Sequence, residues 1–135
     1  MTTFFLIDDD PDDRDIFEMA LNDIPGNHRL VLANNGVEAL NVIKRDELFL
    51  PDFIFLDLNM PLISGKDCLQ QIKTILRLEN IPVIVYTTSS YQKDIDETKR
   101  VGASHFLVKP TGLGKLSSIL TDLLNNKCDT YCLGE

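Results

Sequence analysis

Residues 4–13 read FFLIDDDPDD, an apolar run followed by five carboxylates within the six positions from Asp8 to Asp13. Such crowding of like charge behind a buried strand costs free energy unless a cation or fixed dipoles compensate it. Asp10-Pro11 has the form of a helix start, with Asp10 as the N-cap and Pro11 at the first helical position. The stretch therefore predicts a strand that turns directly into a helix through an acidic junction.

The five carboxylates fall into two groups. Asp12 and Asp13 lie in the first predicted helical turn, where the positive end of the helix dipole stabilises them. Together with the N-cap Asp10 they have a sufficient structural explanation, and we assign them no chemical role. Asp8 and Asp9 remain at the strand exit, either as a solvated acidic loop or as oxygen ligands for a hard cation such as Mg²⁺.

Outward from this stretch, hydrophobic periodicity predicts alternating short strands and amphipathic helices. The strands are predicted at 3–7, 29–32, 53–56, 83–86 and 105–108, and the helices at 12–24, 37–45, 66–76, 92–101 and 113–125. Runs such as FIFL and VIVY are apolar on both faces, as expected for a parallel sheet covered by helices on both sides. We predict an α/β domain with an open, doubly wound, five-stranded parallel sheet over residues 1–125, followed by a short C-terminal tail over 126–135.

Composition excludes several classes of function. The formal net charge of -8 and the pI near 4.6 argue against a nucleic-acid-binding protein. The apolar segment at the start is too short for a signal peptide or a membrane span, so we expect a cytoplasmic protein with no membrane role. Cys68, Cys128 and Cys132 have no zinc-ligand pattern and fit reduced thiols.

The predicted topology gathers polar residues at one edge of the sheet. Asp8 and Asp9 follow the first strand, Asp57 follows the third, Thr87 ends the fourth and Lys109 follows the fifth. Ligands of open α/β sheets bind outside the carboxyl ends of the strands, at the crevice where strand order reverses. Three carboxylates and one lysine in that crevice make it the candidate site.

Four motifs at the strand ends, LIDDD, FLDLNMP, VYTTS and FLVKP, resemble the receiver domain of two-component response regulators. The likeness is greatest to the single-domain chemotaxis type and covers about residues 3–125. It implies the flavodoxin-like strand order 2-1-3-4-5 with five helices. It also implies a signalling protein rather than an enzyme, which accepts a phosphoryl group on Asp57 from a histidine kinase or a histidine phosphotransfer protein.

The same resemblance implies how the metal and the phosphoryl group are held. Mg²⁺ is expected on Asp9 and Asp57, with Asp8 acting through water and the backbone carbonyl of Asn59 as a further ligand. Lys109 supplies a compact positive charge for a phosphoryl oxygen. The peptide bond between Lys109 and Pro110 is expected to be cis, which proline permits at small cost.

Resemblance also assigns two switch residues. Thr87 matches the residue whose hydroxyl turns toward the phosphoryl group, and Phe106 stands where the chemotaxis type has Tyr. The structural alternatives stay open: a β-branched strand residue for Thr87 and a core aromatic for Phe106. Thr88 stands where this family usually has a smaller side chain, and it is expected to narrow access to the phosphoryl group.

Asn59 and Ser89 occupy the two variable positions that tune hydrolysis of the acyl phosphate in this family. Ser89 is short and uncharged, so we expect water access alone to limit hydrolysis. A downstream protein is expected to bind the face formed by the fourth helix, fifth strand and fifth helix, with contacts at Tyr91, Ile95 and Phe106.

Alternative functions remain at this stage. A phosphorelay intermediate that passes the phosphoryl group to a histidine phosphotransfer protein needs the same site. An aspartyl phosphatase of the haloacid dehalogenase type is disfavoured, because Asn59 cannot serve as the second acid and the motif lies on the third strand. The YTTSS stretch weakly resembles small receivers paired with phytochrome-type kinases, some of which dimerise, so a homodimer is a further alternative.

Overall fold

The computed structural model describes residues 1–134. Its five parallel strands form one sheet in the order β2-β1-β3-β4-β5. The strands are β1 (Thr2–Ile7), β2 (His28–Ala33), β3 (Phe53–Leu56), β4 (Val83–Thr87) and β5 (His105–Val108). The helices are α1 (Pro11–Asn22), α2 (Gly36–Arg45), α3 (Gly65–Lys73), α4 (Gln92–Val101) and α5 (Leu113–Leu124). The predicted fold class, strand order and helix count are confirmed.

Local sequence explains where the helices begin and end. The Asp10 side chain accepts the N–H groups of Asp12 and Asp13 at 2.9 and 3.4 Å, which confirms it as the N-cap of α1. α1 ends two residues before the predicted position, because Pro25 disfavours the helical conformation at Ile24.

The third helix is also shorter than predicted. α3 ends at Lys73, and residues Leu76–Leu78 form a separate 3₁₀ turn. The Thr74 hydroxyl donates to the carbonyl of Gln71 at 2.7 Å, a side-chain bond of the kind that competes with helix continuation.

Successive residues of each strand are buried on opposite faces of the sheet. Phe4, Leu6, Phe55, Ile84 and Tyr86 pack in one cluster with α1 and α5. Phe5, Ile7, Ile54, Leu56 and Val85 pack in the other cluster with α2 and α3. This two-sided burial explains the continuous apolar runs of the sequence and leaves the carboxyl ends of the strands as the polar edge.

Residues 126–134, here called the return segment, pack back onto the sheet. Phe106 on β5 donates its N–H to the carbonyl of Tyr131 at 2.8 Å and accepts the N–H of Leu133 at 2.9 Å. These bonds form a parallel bridge between Phe106 and Cys132. The predicted C-terminal tail is therefore docked over its described residues, because its backbone pairs with an edge strand and Leu133 is buried.

None of the helices within residues 1–134 combines the length and the apolar character needed to cross a membrane.

Candidate functional site

Strand register brings the predicted acids together. Ile7 pairs with Leu56 in neighbouring strands, so Asp8 and Asp57 emerge from the sheet at the same level. One carboxylate oxygen from each of Asp8, Asp9 and Asp57 lies within 4.8 Å of the others. Asp8 and Asp57 are buried, whereas Asp9 is exposed and opens the cluster to solvent.

Lys109 places one ammonium group among these acids. Its Nζ lies 2.8 Å from Asp8 Oδ2 and 3.6 Å from Asp57 Oδ2, and only 9% of its side chain is exposed. Its backbone N–H donates to the carbonyl of Thr87 at 2.7 Å, which fixes the chain as it leaves β5. The Lys109–Pro110 peptide is trans, so the expected cis bond is wrong; the two isomers of such a bond differ little in free energy.

Asp13 belongs to the site, which the sequence analysis missed. Its Oδ2 lies 2.6 Å from Lys109 Nζ, the shortest of the three lysine–carboxylate distances. We assigned Asp13 only a role at the helix start, and that interpretation is incomplete. The signal in the sequence was the short connection between β1 and α1, which points the first turn of α1 at the crevice. Arg14, also missed, donates to the backbone carbonyl of Asp8 at 3.0 Å.

Burial shifts the acids toward their neutral forms. It raises the pKa of Asp57 to about 6, although the charge of Lys109 opposes the shift. Burial also raises the pKa of Asp8, against a hydrogen bond from Lys109. Burial alone would lower the pKa of Lys109, but its hydrogen bonds to Asp13 and Asp8 outweigh this and hold it above the usual value. The site therefore contains more carboxylates than cationic groups. The ligand atoms that these carboxylates offer are all oxygens, which suit a hard divalent cation.

Gly65 lets α3 approach the backbone of Asp57. A Cβ atom at Gly65 would lie 2.2 Å from the carbonyl oxygen of Asp57 and 2.5 Å from the Cα of Leu58. The N–H of Gly65 also donates to the carbonyl of Leu58 at 2.9 Å. The position of Asp57 therefore requires a residue without a side chain at Gly65, and no local pattern in the sequence indicates this requirement.

The loop after β4 ties the predicted switch to α4. Thr87 is fully buried, and its Oγ1 accepts the N–H of Ser89 at 3.3 Å. The Ser89 hydroxyl donates to Asp94 at 2.5 Å, and Asp94 pairs with Lys66 at 2.6 Å. Thr88 points to solvent. Ser89 is therefore held by α4.

The structure also places three other predicted residues, Asn59, Tyr91 and Phe106. The N–H of Asn59 donates to Asp57 Oδ1 at 3.3 Å, so this residue adjoins the acid cluster. Tyr91 is exposed, as expected of a contact residue. Phe106 is only 1% exposed, because Tyr131 and Cys132 of the return segment cover it. Phe106 is therefore a core aromatic here and not an accessible part of the α4–β5–α5 face.

Comparison with known proteins gives a consistent result. The sequence model of the response regulator receiver domain matches residues 4–121. Response regulator Rre1 of Synechocystis sp. is 29% identical over 122 residues, which is 90% of this chain and 51% of that protein. The chain spans about half or less of the length of the first curated relatives that it matches.

Two solved structures are similar over most of the chain. The phosphorylated cyanobacterial phytochrome response regulator RcpA superposes with a TM-score of 0.81 at 28% identity, over 90% of each chain. The Mn²⁺-bound form of response regulator Rcp1 superposes with a TM-score of 0.82 at 25% identity, over 96% of each chain.

Proposed function

Because the chain belongs to the family of response regulator receiver domains, we propose that it is a signalling domain switched by phosphorylation of Asp57. The donor is a histidine kinase or a histidine phosphotransfer protein. The observation that supports this most strongly is the position of Asp57, a nearly buried carboxylate 3.6 Å from an ammonium group in an acid cluster that is open to solvent at Asp9.

The proposed reaction is a direct phosphoryl transfer. A carboxylate oxygen of Asp57 forms a bond to phosphorus while the bond from phosphorus to the donor's imidazole nitrogen breaks. The electron pair of that bond stays on the imidazole, and the product on Asp57 is an acyl phosphate. A pKa of about 6 leaves Asp57 largely ionised at pH 7, as a nucleophile must be. Lys109 holds its positive charge where the phosphoryl oxygens would accumulate negative charge.

The acid cluster fits Mg²⁺. Asp9 and Asp57 would hold the ion, Asp8 would act through water, and the backbone carbonyl of Asn59 would complete the protein ligands. When bound, Mg²⁺ supplies positive charge to the phosphoryl oxygens. The excess of carboxylates over the single ammonium of Lys109 supports this assignment.

Thr87 and Ser89 have proposed roles after the transfer. Thr87 would donate its hydroxyl to the phosphoryl group and so draw the loop after β4 inward. That motion would disturb the hydrogen bond from Ser89 and the contacts of α4 beyond it. The bond from Ser89 to Asp94 supports our hypothesis that Ser89 offers no carboxylate or amide to the attacking water, so that water access alone limits hydrolysis of the acyl phosphate.

The output is proposed to be altered binding of a downstream protein at the α4–β5–α5 face, in the cytoplasm. Residues 1–125 would form the receiver domain itself. The phosphoryl transfer is catalysed by the receiver's own residues, so the domain acts as a phosphorylated switch and not as an enzyme with a separate substrate.

Intact-mass spectrometry tests this proposal. The parent protein and the D57N variant are incubated with acetyl phosphate, with and without Mg²⁺, and D67N serves as a control because Asp67 is an exposed acid on α3. We expect one phosphoryl group on the parent and on D67N only when Mg²⁺ is present, and none on D57N. Phosphorylation of D57N, or no phosphorylation of folded parent protein in the presence of acetyl phosphate and Mg²⁺, would contradict the proposal.

A further inference from the structure

The open edge of β5 is occupied by part of the return segment, Thr130 to Gly134. Phe106 uses both its N–H and its carbonyl in the pairing, with Tyr131 at 2.8 Å and Leu133 at 2.9 Å. Next to this pair, His105 Nδ1 lies 2.7 Å from the carbonyl of Thr130. The backbone of the segment therefore runs parallel to β5 at this point and pairs with it through a single bridge.

Side chains of the same segment contact α4. The hydroxyl groups of Tyr131 and Thr98 lie 2.7 Å apart. Because the Thr98 hydroxyl already donates to the carbonyl of Asp94 at 2.8 Å, Tyr131 is the donor to Thr98. Lys99 Nζ lies 5.6 Å from the centre of the Tyr131 ring, within the range of a cation–π contact.

Leu133 anchors the segment on the other side of β5. It is 8% exposed and packs in the hydrophobic cluster that includes Leu107 of β5 and Ile119 of α5. A groove of about 280 Å³ continues along the segment, and Ile95, Pro110 and Leu133 contribute to its wall. One stretch of the chain thus contacts all three elements of the proposed output face, β5 through its backbone and α4 and α5 through its side chains.

We propose that residues 130–134 are an intramolecular ligand of the α4–β5–α5 face, and that a partner of this face is an extended peptide segment that takes their place. The partner would pair in parallel with β5, with an aromatic residue beside Thr98 and an aliphatic residue two positions later. Addition of a strand to an open sheet edge is an established mode of peptide recognition. The proposal rests on the proposed function only in treating this face as the output surface.

Because the return segment is covalently joined to α5, it competes with any external peptide for the α4–β5–α5 face. A segment joined to α5 by a few residues is held near its site at an effective concentration in the millimolar range. An external peptide of the same sequence must displace it, and its apparent affinity is reduced accordingly. Freeing the face should therefore improve the binding of such a peptide without any change at Asp57.

The test uses the 135-residue chain and a synthetic peptide of residues 129–135 that carries C132S. In the protein, L133D puts a charge where Leu133 is buried and should undock the segment. D129N is the matched control, because Asp129 lies in the same segment but is exposed. Binding is followed by the NMR signal of the Phe106 amide, without Mg²⁺ or phosphoryl donor.

We expect the peptide to bind L133D about tenfold or more tightly than it binds the parent and D129N, in line with an intramolecular competitor. Equal affinity for parent and L133D, or no binding to a folded L133D, would overturn the proposal. Should thermal unfolding show that L133D does not fold, Y131A replaces it, since that change removes the contacts with Thr98 and Lys99.

Sedimentation velocity tests the alternative that the segment docks on a second copy of the chain and not on its own molecule. A parent dimer that becomes monomeric in L133D would show that the segment docks on another molecule, and would overturn the intramolecular assignment. All these measurements use unphosphorylated protein. A failure here therefore leaves the phosphorylation of Asp57 untouched, and a failure to phosphorylate Asp57 leaves the docking result standing.

Discussion

The acid site and the docked return segment adjoin β5 three positions apart, at Lys109 just after the strand and at Phe106 within it, and they are built in opposite ways. At the acid site, one ammonium group of Lys109 serves Asp8, Asp13 and Asp57, and burial raises the pKa values of Asp8 and Asp57. At the segment, each backbone donor and acceptor of Phe106 is paired and Leu133 is buried. The acid site holds charge that is incompletely compensated, whereas the docked segment contributes stability.

This difference indicates which kind of ligand each region can bind. Buried charges of one sign make a site that gains free energy when a cation or a phosphoryl group with its counterion arrives. A paired edge strand gains nothing from such a ligand but can be exchanged for another strand of like shape. Substitutions in the two regions should therefore change stability in distinguishable ways.

The largest effect is expected from K109M. Removing the ammonium leaves buried carboxylates without their partner, which costs about 3 kcal/mol or more of unfolding free energy at pH 7. The cost should shrink as the pH falls toward 6 and below, because a protonated Asp57 carboxyl needs no partner: its pKa is about 6 with Lys109 present and is higher once that charge is removed. Urea unfolding at several pH values measures this, with K44M as the exposed control on α2. Equal stability of K109M and K44M would mean that Lys109 does not compensate the acids.

The D57N substitution should raise the free energy of unfolding, whereas K109M should lower it. The unfolded carboxyl has a pKa near 3.9, and the folded one about 6, so the folded state binds the proton more tightly. Parent stability then falls as pH rises through this window and stays lower above it. We expect D57N to be more stable than the parent by on the order of 2 kcal/mol at pH 7 without divalent cations.

Two observations would check that sign. The gain from D57N should nearly vanish at pH 4, where the parent carboxyl is protonated in the folded state. D67N should show no such pH-dependent gain, because Asp67 is exposed. A D57N variant less stable than the parent at pH 7 would mean that Asp57 is fully compensated, and the contrast with the return segment would fail.

The G65A substitution probes the backbone under the site. Its methyl group would meet the Asp57 carbonyl at 2.2 Å, so the peptide or α3 must shift, at a cost of about 1–3 kcal/mol. G114A is the matched control, because a Cβ at Gly114 on α5 meets nothing within 4 Å. Thermal unfolding should rank G65A well below the parent and G114A level with it or slightly above it, since alanine favours a helix more than glycine does. A G65A variant as stable as G114A would show that the contact relaxes freely.

The smallest effect is expected from Y131F in the return segment. It removes one hydrogen bond, to Thr98, and should cost about 1 kcal/mol with no pH dependence between 5 and 8. Y91F is the control, because Tyr91 is an exposed tyrosine at the start of α4. Equal stability of the two variants would show that the Tyr131 hydroxyl adds nothing to docking.

Local sequence determined most of the fold and the strand-end residues of the site. Asp8, Asp57 and Lys109 could be placed because each directly follows a short apolar strand, and parallel strands end at one edge. Asp13 was missed, because its place in the first turn of α1 already has a structural explanation and its contact with Lys109 depends also on the direction of α1 relative to β5. Gly65 could not be identified, because the approach of α3 to Asp57 is a tertiary distance with no local pattern.

The return segment escaped prediction for a related reason. Tyr131, Cys132 and Leu133 form too short a run to predict a strand, and their pairing partner is 25 or more positions earlier in the chain. Pairing with an existing edge supplies the order that the run lacks by itself. The burial of Phe106 could not be decided for the same reason: the motifs allow both a contact residue of the face and a core aromatic, and the residues that cover it lie outside the motifs.

The cover on β5 also has a consequence for solubility. Strands at the edge of a sheet present free amide and carbonyl groups that template pairing with other chains, and apolar edges such as HFLV are the most hazardous. With residues 131–133 in place, Phe106 offers neither group to a neighbouring molecule. Variants that undock the segment should then precipitate at concentrations where the parent stays dispersed, so a low yield of such a variant would itself report the lost cover.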